Sequence, residues 1–280
     1  MKFTPLLLLL LLSFSAYAQK NKATTPAAEA NNNAMQSVIS GFSFREIGPA
    51  VTSGRISDIA VNPNNYSEWY IAAACGGVWK TENAGTTFKP IFDGQTSFSI
   101  GCIAIDPNNT HTVWVGTGEN NNQRSVAYGD GIYKSDDNGK SWKNMGLKNS
   151  EHIGMIAIHP KSSNTIFVAA YGPLWSAGGE RGIYKSTDGG KSWKQTLFVA
   201  EDTGIIDLAV SKNNPKIMFA ASWQKDRKAW HFDGDGEKSG IYKSEDGGTS
   251  WKLVTTKESG FPANEGVGRI GLALFNENVI

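Results

Sequence analysis

The chain has few cysteines, few histidines and no excess of charge of either sign. Two cysteines, Cys75 and Cys102, are too few for a disulfide framework, and they could form one bond or remain two buried thiols. The four histidines lack the spacing of zinc ligands, so no metal centre is predicted from them. Lys and Arg number 27 against 26 Asp and Glu, which gives no reason to expect nucleic acid or an anionic membrane as a partner.

Long hydrophobic runs are also lacking, except for one at the N-terminus. Leu6–Leu12 follows a single Lys2 and precedes the small-residue sequence Ala16–Ala18, which is typical of a secretory signal peptide rather than a membrane span. We therefore predict a signal peptide at residues 1–18 and a disordered leader at 19–40. The protein is expected to be exported to the periplasm or the extracellular space, with no membrane span.

Glycine and tryptophan are abundant, with 31 and 9 residues, and both occur in a repeated unit. The sequence GIYKSTDGGKSWK at 182–194 recurs at 131–143 and 240–252, and in weaker form as GVWKTENAGTTFK at 77–89. A period of roughly 50 to 60 residues, with turn residues inside each copy, is typical of a propeller or another repeat array.

Each copy alternates apolar and polar residues on both sides of a tight turn, and it resembles the Asp-box of the bacterial neuraminidase repeat. The Asp accepts backbone N–H bonds, the Gly takes a positive φ, and the Trp packs beneath the hairpin. We interpret these residues as structural rather than catalytic or metal-binding, because a recurring supersecondary unit needs no other reason to recur. The predicted Asp-box residues are Ser135, Asp137, Gly139 and Trp142, then Ser186, Asp188, Gly190 and Trp193, and finally Ser244, Asp246, Gly248 and Trp251.

Two more strands are predicted upstream of each hairpin, which makes four antiparallel strands per repeat and an all-β, β-propeller fold. We expect the propeller at 41–280, with blades at about 49–98, 99–150, 151–202 and 203–260 and the start of another at 261–280. Ser43–Gly48 is predicted to close the last blade, so the chain is expected to be the N-terminal part of a longer protein with downstream domains. The first strands should be buried on both faces near the central axis, with small residues at Ala60, Ala104, Ala157 and Ala209.

The loops between the second and third strands differ in length, from Cys75-Gly76 up to Trp223–Ser239, and should lie opposite the Asp-boxes. Variable loops on a repeated scaffold are where binding usually occurs, and exposed Trp and Arg contribute most binding energy. The alternative is that Trp175 and Trp230 only hold their loops against the blade. The candidate binding residues are Arg124, Tyr128, Trp175, Glu180, Arg181, Trp223, Arg227, Trp230 and His231. Five of them are expected to converge toward the axis on one face, namely Arg124, Trp175, Arg181, Trp223 and Trp230.

Three carboxylates in the longest of these loops are spaced two residues apart. Asp233, Asp235 and Glu237 resemble the start of a Ca²⁺ loop, although the remaining ligands of an EF-hand are missing. A solvated acidic turn is the alternative, and no other cofactor is predicted.

The runs Phe44–Pro49, Ser53–Asp58 and Cys75–Thr81, together with the Asp-boxes, resemble exported bacterial proteins with sortilin-type (BNR-repeat) β-propellers. The resemblance implies the fold, and the unequal loops lead us to predict a binding module that recognises a peptide, a protein or a glycan on the face with the long loops.

The region around Cys75–Trp79 also resembles xyloglucan-cleaving enzymes, in which an Asp stands two residues before the first Gly. This chain has Ala74 there, which removes one member of the acid pair that glycoside hydrolysis requires. Two other acids on the predicted binding face, Glu119 and Glu180, have no evident partner. No catalytic residue is therefore assigned, and a glycoside hydrolase completed by further C-terminal blades is the alternative function.

Overall fold

The computed structural model of the chain describes residues 54–262 and 266–274. The predicted signal peptide, the leader and the closing strand at Ser43–Gly48 lie outside these residues. Across the described ranges no helix is long and apolar enough to cross a membrane. Helical structure in the same ranges is limited to two short 3-10 turns, Lys148–Ser150 and Lys257–Ser259.

Eighteen strands form four antiparallel four-stranded sheets and one small hairpin. The first sheet contains Ile56–Val61 (β1), Trp69–Ala73 (β2), Gly77–Thr81 (β3) and Lys89–Pro90 (β4). The second contains Ile100–Ile105 (β5), Val113–Thr117 (β6), Ile132–Ser135 (β7) and Lys143–Asn144 (β8). The third contains Ile153–His159 (β9), Ser162–Ala170 (β10), Gly182–Ser186 (β11) and Lys194–Leu197 (β12). The fourth contains Thr203–Val210 (β13), Met218–Gln224 (β14), Gly240–Ser244 (β17) and Lys252–Leu253 (β18), and the hairpin contains Asp226–Arg227 (β15) and Phe232–Asp233 (β16). Each sheet is one blade of the predicted β-propeller, in which strands follow one another in sequence order.

The hydrophobic cores lie between neighbouring blades rather than within one blade. Tyr70 and Val78 of the first blade pack with Ile100 and Val115 of the second, and comparable clusters join the second blade to the third and the third to the fourth. Because a single blade has no core of its own, its apolar residues are covered only when the next blade stacks on it.

The first strands differ in burial from one blade to the next. Ile100, Ile153 and Ile205, which begin or lie near the start of β5, β9 and β13, are fully buried. In β1, by contrast, Ile56 is 59% exposed and Ile59 48% exposed, so the expectation of two buried faces is wrong for this strand. Among the described residues, β1 has a neighbouring first strand, β5, on one side only. The four alanines expected in the crowded position are Ala60, Ala104, Ala157 and Ala209, and all are half-buried.

Carboxylates connect first strands of adjacent blades at equivalent positions. Asp58 Oδ2 accepts the backbone N–H of Ile103 at 3.0 Å, and Asp207 Oδ2 accepts that of Leu272 at 2.9 Å. Burial raises the pKa of Asp58. Leu272 and Ile270 also pack against the cluster around Trp223. The segment at 269–274 thus occupies the place of the next first strand, although it has no strand pairing within the described ranges.

The Asp-box turns are held by a repeated set of hydrogen bonds. In the third copy, Ser186 Oγ donates to Asp188 Oδ1 at 2.8 Å and accepts the N–H of Gly190 at 2.8 Å. The backbone N–H and the hydroxyl of Ser192 donate to the same carboxylate at 3.0 and 2.6 Å. Equivalent bonds form in the second and fourth copies, and in the second they lower the pKa of Asp137 to about 2. The first copy uses Thr81 and Asn83 in the same roles.

The Asp-box tryptophans connect blades as well as packing beneath their own hairpins. Trp142 Nε1 donates to the carbonyl of Ile91 at 2.7 Å, and Trp193 Nε1 donates to that of Met145 at 2.8 Å. In each pair the acceptor belongs to the fourth strand region of the preceding blade. The motif therefore fixes the stacking of blades.

The turns between first and second strands lie on the same face as the Asp-boxes. The N–H of Asn138 donates to the carbonyl of His111, and the N–H of Gly189 donates to that of Asn164. Because strand direction alternates in a four-stranded meander, the loops between second and third strands lie on the opposite face.

Candidate binding face

Three long loops connect second to third strands, at 118–131, 171–181 and 225–239, whereas the first blade has only Ala74–Gly76. The fourth loop begins later than predicted, because β14 continues to Gln224 and includes Trp223. It contains the β15–β16 hairpin, which the sequence analysis did not identify. No Gly or Asn stands at the tip between Arg227 and Phe232, so the usual turn signal is missing.

Glu119, at the start of the second-blade loop, is buried and forms an ion pair with the half-exposed Arg55. Its carboxylate accepts Nε and Nη2 of Arg55 at 2.7 and 2.6 Å, and only 2% of the residue is exposed. The Nδ1–H of His152 donates to the Glu119 carbonyl at 3.0 Å. Burial lowers the pKa of His152 to about 3, so the imidazole is neutral at physiological pH. Glu119 is thus paired with an arginine that is distant in sequence.

Aromatic and basic side chains continue this network across the loops. Tyr171 packs edge-on against His152 and stacks on Trp223, with ring centroids 5.5 Å apart. Trp223 Nε1 donates to the Gly234 carbonyl at 2.7 Å, and Arg269 lies 5.9 Å from the Trp223 ring. Arg269 also donates to the carbonyl of Asn120 at 3.1 Å, which closes the network back to the second blade.

Arg181 stabilises its own loop and exposes almost none of its surface to solvent. It is 1% exposed and donates to the carbonyls of Tyr171, Pro173, Ser176 and Gly178 at 2.6 to 2.9 Å. The prediction that Arg181 is an exposed binding residue is therefore wrong. A guanidinium can satisfy several carbonyls at once, and the loop wraps around it.

Lys225 is a buried lysine that the sequence analysis did not single out. Its Nζ donates to the carbonyls of Pro173 and Leu174 at 3.2 and 3.1 Å and lies 4.6 Å from the centre of the Tyr171 ring. Burial, together with the nearby charge of Arg181, lowers the pKa of Lys225 to about 7. The third-blade and fourth-blade loops are joined by these contacts.

Between these two loops lies a cleft of about 260 Å³, which we call the acidic cleft. Four aspartates line it, Asp202, Asp226, Asp233 and Asp235, together with the basic residues Arg181, Lys225 and Lys228. Asp226 pairs with Lys228 at 2.9 Å, and Asp233 pairs with His231 at 3.0 Å. The predicted Ca²⁺ ligands are not brought together here. Glu237 does not line the cleft, and within the described ranges no three acidic, His or Cys side chains are grouped as a metal site.

A second, more open groove of about 420 Å³ lies between the second-blade loop and the hairpin, and we call it the basic groove. Its lining residues are Asn122, Gln123, Arg124, Ser125, Arg227 and Phe232. The Arg227 guanidinium lies over the Phe232 ring, 5.0 Å from its centre. Arg124 and Arg227, predicted separately from sequence, are thus brought to one site.

The other predicted binding residues occupy separate positions. Tyr128 and Trp175 are exposed on their loops, and Trp230 is 85% exposed at the tip of the hairpin. Glu180 accepts the backbone N–H of Asn149 at 2.8 Å. Of the five side chains expected to converge toward the axis, Arg181 and Trp223 are buried and Trp230 lines neither groove, so the five do not form one exposed site.

The two cysteines are not bonded to each other. Cys75 is exposed and Cys102 is buried, and both thiols are free. Burial raises the pKa of both thiols, and well above its usual value for Cys102.

The stacked four-stranded sheets and their Asp-box turns define the chain as an Asp-box β-propeller. The Sortilin-Vps10 family model (Sortilin, neurotensin receptor 3) matches residues 130–265. Over these residues the chain is similar to sortilin-type β-propeller proteins.

The solved structures that resemble this chain include those of two GH74 enzymes. An ancestral GH74 enzyme superposes with a TM-score of 0.56 at 20% identity, covering 73% of this chain and 24% of that one. The GH74 enzyme of Niastella koreensis gives 0.52 at 21% identity, covering 70% and 29%. At 20% and 21% sequence identity, the similarity to these two enzymes supports the β-propeller fold alone.

One curated relative is a probable oligoxyloglucan-reducing end-specific xyloglucanase of Neosartorya fischeri. It is 28% identical over 132 residues, which cover 46% of this chain and 15% of that protein. The chain therefore spans a small part of the length of this relative and of the two GH74 enzymes.

Proposed function

We propose that this propeller is an exported binding module whose ligand, a peptide, protein or glycan, lies on the face with the long loops. The observation that carries the proposal is that loops from three blades meet there and enclose the acidic cleft and the basic groove. The opposite face consists of short turns whose polar groups are occupied by their own repeated bonds. Binding by unequal loops on a regular scaffold is a common arrangement.

Exposed aromatic side chains on the loops support the same face. Tyr128 is 74% exposed on the second-blade loop, and Trp175 is exposed on the third-blade loop. Large aromatic side chains outside a core are the residue types most able to contribute binding energy.

A glycan-active hydrolase is the second candidate, and one arrangement favours it. Asp226 and Asp233 are cross-strand partners in the hairpin, so two carboxylates lie close together in the acidic cleft. The alignment with a probable xyloglucanase supports the same candidate. Against it, the ion pair with Arg55 engages both oxygens of Glu119, and Glu180 accepts a backbone N–H.

The test is to probe glycan and peptide arrays with the whole chain and measure affinity for the best ligand by calorimetry. Tyr128→Ala and Trp175→Ala should weaken binding by about 2 kcal/mol where the residue is a hot spot. Tyr66→Ala is the matched control, because Tyr66 is equally exposed (79%) but lies in the turn between β1 and β2, on the Asp-box face.

Equal losses from Tyr66→Ala and Tyr128→Ala would place binding elsewhere and contradict the proposal. Release of new reducing ends from a bound glycan, abolished by Asp226→Asn or Asp233→Asn, would replace it by the hydrolase.

A further inference from the structure

The β15–β16 hairpin separates the acidic cleft, which is lined by both acidic and basic side chains, from the basic groove, whose described lining includes no acidic residue. Side chains alternate between the two sides of a strand, so Asp226 and its partner Asp233 lie on one side while Arg227 and its partner Phe232 lie on the other. The first pair lines the acidic cleft and the second lines the basic groove. The basic groove, defined above, therefore has a chemistry of its own.

Polar groups in the basic groove are buried without partners. The side-chain nitrogen and oxygen of Asn122 make no hydrogen bond to any described residue, and Asn122 is 6% exposed. The Nε of Arg227 is likewise unpartnered at 8% exposure of the residue. Buried polar groups in proteins are normally hydrogen-bonded, and leaving one unpaired is costly. These atoms have almost no exposed surface, so a ligand can bond to them only if the side chains rotate toward the groove, and it would then supply the missing hydrogen bonds.

The positive charge of the basic groove indicates an anionic ligand. Arg124 is exposed at its edge, Arg227 is stacked on Phe232, and none of the described lining residues is acidic. A guanidinium stacked on a ring keeps its N–H edge free for the bidentate bonds that suit a carboxylate.

We propose that the basic groove binds the carboxylate of an acidic glycan, such as one built from uronic acid residues. Arg124 and Arg227 recognise the carboxylate, and Asn122 donates to and accepts from neighbouring ring hydroxyls. The inference rests on the proposed binding function and adds the ligand class and the groove.

The lining favours a glycan over an acidic peptide. All the lining side chains except Phe232 carry polar groups, but most of the surface accessible in the groove is apolar. A sugar ring presents both C–H faces and hydroxyl groups and can match such a mixed, open surface, whereas peptides are usually anchored by apolar side chains in enclosed hydrophobic pockets.

The test measures binding of a short oligogalacturonate, its neutral galactose analogue and a poly-glutamate peptide to the whole chain by calorimetry. Arg124→Gln should weaken oligogalacturonate binding about tenfold or more, because it removes a charge-assisted hydrogen bond. Arg124 is exposed, so its replacement leaves the packing intact. Lys191→Gln is the matched control: it removes the same charge from an exposed position in the third Asp-box turn, on the other face. Asn122→Asp, which places a carboxylate in the groove, should abolish binding.

The expected result is selective binding of the oligogalacturonate, weakened by Arg124→Gln and Asn122→Asp but not by Lys191→Gln. Equal affinity for the neutral analogue, an unchanged affinity in Arg124→Gln, or tighter binding of poly-glutamate in the groove would each overturn the inference. If the acidic probes do not bind while an array ligand depends on Tyr128 or Trp175, this inference fails and the proposed function stands. If oligogalacturonate binds through the groove while Tyr128→Ala and Trp175→Ala have no effect, the inference stands without those aromatic contacts.

Discussion

The close approach between each Asp-box turn and the preceding blade can be tested by a glycine-to-alanine substitution, which adds a single methyl group. Gly190 has a φ of +87°, and a Cβ at this position would lie 2.5 Å from Trp114 Cη2 and 3.1 Å from Cζ3. Trp114 is fully buried, so it has no space into which to move. Gly190→Ala should therefore lose about 1–2 kcal/mol of unfolding free energy through the left-handed backbone. Overpacking against the indole should cost about 1–3 kcal/mol more.

The neighbouring Gly189 separates these two effects. Its φ is +74°, but a Cβ there would come no closer than 3.4 Å, to Asn164 Oδ1. Gly189→Ala should thus show the backbone cost of about 1–2 kcal/mol alone. The fourth blade offers a repeat of the comparison, because Gly247 has nothing within 4 Å while a Cβ on Gly248 would lie 2.8 Å from Phe167.

Urea unfolding followed by the fluorescence of the nine tryptophans measures the unfolding free energy of all four variants. The second glycine of each pair should be the more sensitive to alanine. Equal losses at Gly189 and Gly190 would refute the argument that contact with the preceding blade, rather than backbone conformation, requires glycine there.

Two further predictions concern inter-blade and inter-loop contacts. Trp193→Phe removes the 2.8 Å hydrogen bond to the Met145 carbonyl and should lower the unfolding free energy, measured in urea, by about 0.5–1.5 kcal/mol. Trp251→Phe removes a longer bond of 3.3 Å to Thr196 and should lower it less. A larger loss at Trp251 would contradict this reasoning. Lys225 has a folded pKa of about 7 against 10.5 for a free lysine, so the unfolded chain binds more protons between these values and stability should rise with pH across that window. The rise should be smaller in Lys225→Met, and identical pH profiles of the unfolding free energy would show that this lysine is not desolvated.

Much of the fold could be predicted because the informative interactions are local. The bonds among Ser186, Asp188, Gly190 and Ser192 span at most four residues. Alternation of apolar and polar residues likewise predicted the strands of each Asp-box hairpin, since it depends only on which side chains face the neighbouring blade. The sequence by itself therefore determined the repeat, the blade as its unit and the loops that vary.

The candidate site depended on contacts between distant residues. Arg55 and Glu119 are 64 positions apart, and no local pattern pairs them. An arginine in a loop can either face solvent or bond to the carbonyls of its own loop. Arg181 bonds to the carbonyls of Tyr171 and Pro173 because residues 171–181 fold around it, and the sequence does not show that path. The basic groove likewise required the second-blade loop and the hairpin to approach each other. Only the tertiary structure decided which polar side chains are buried, because burial is set by neighbouring blades.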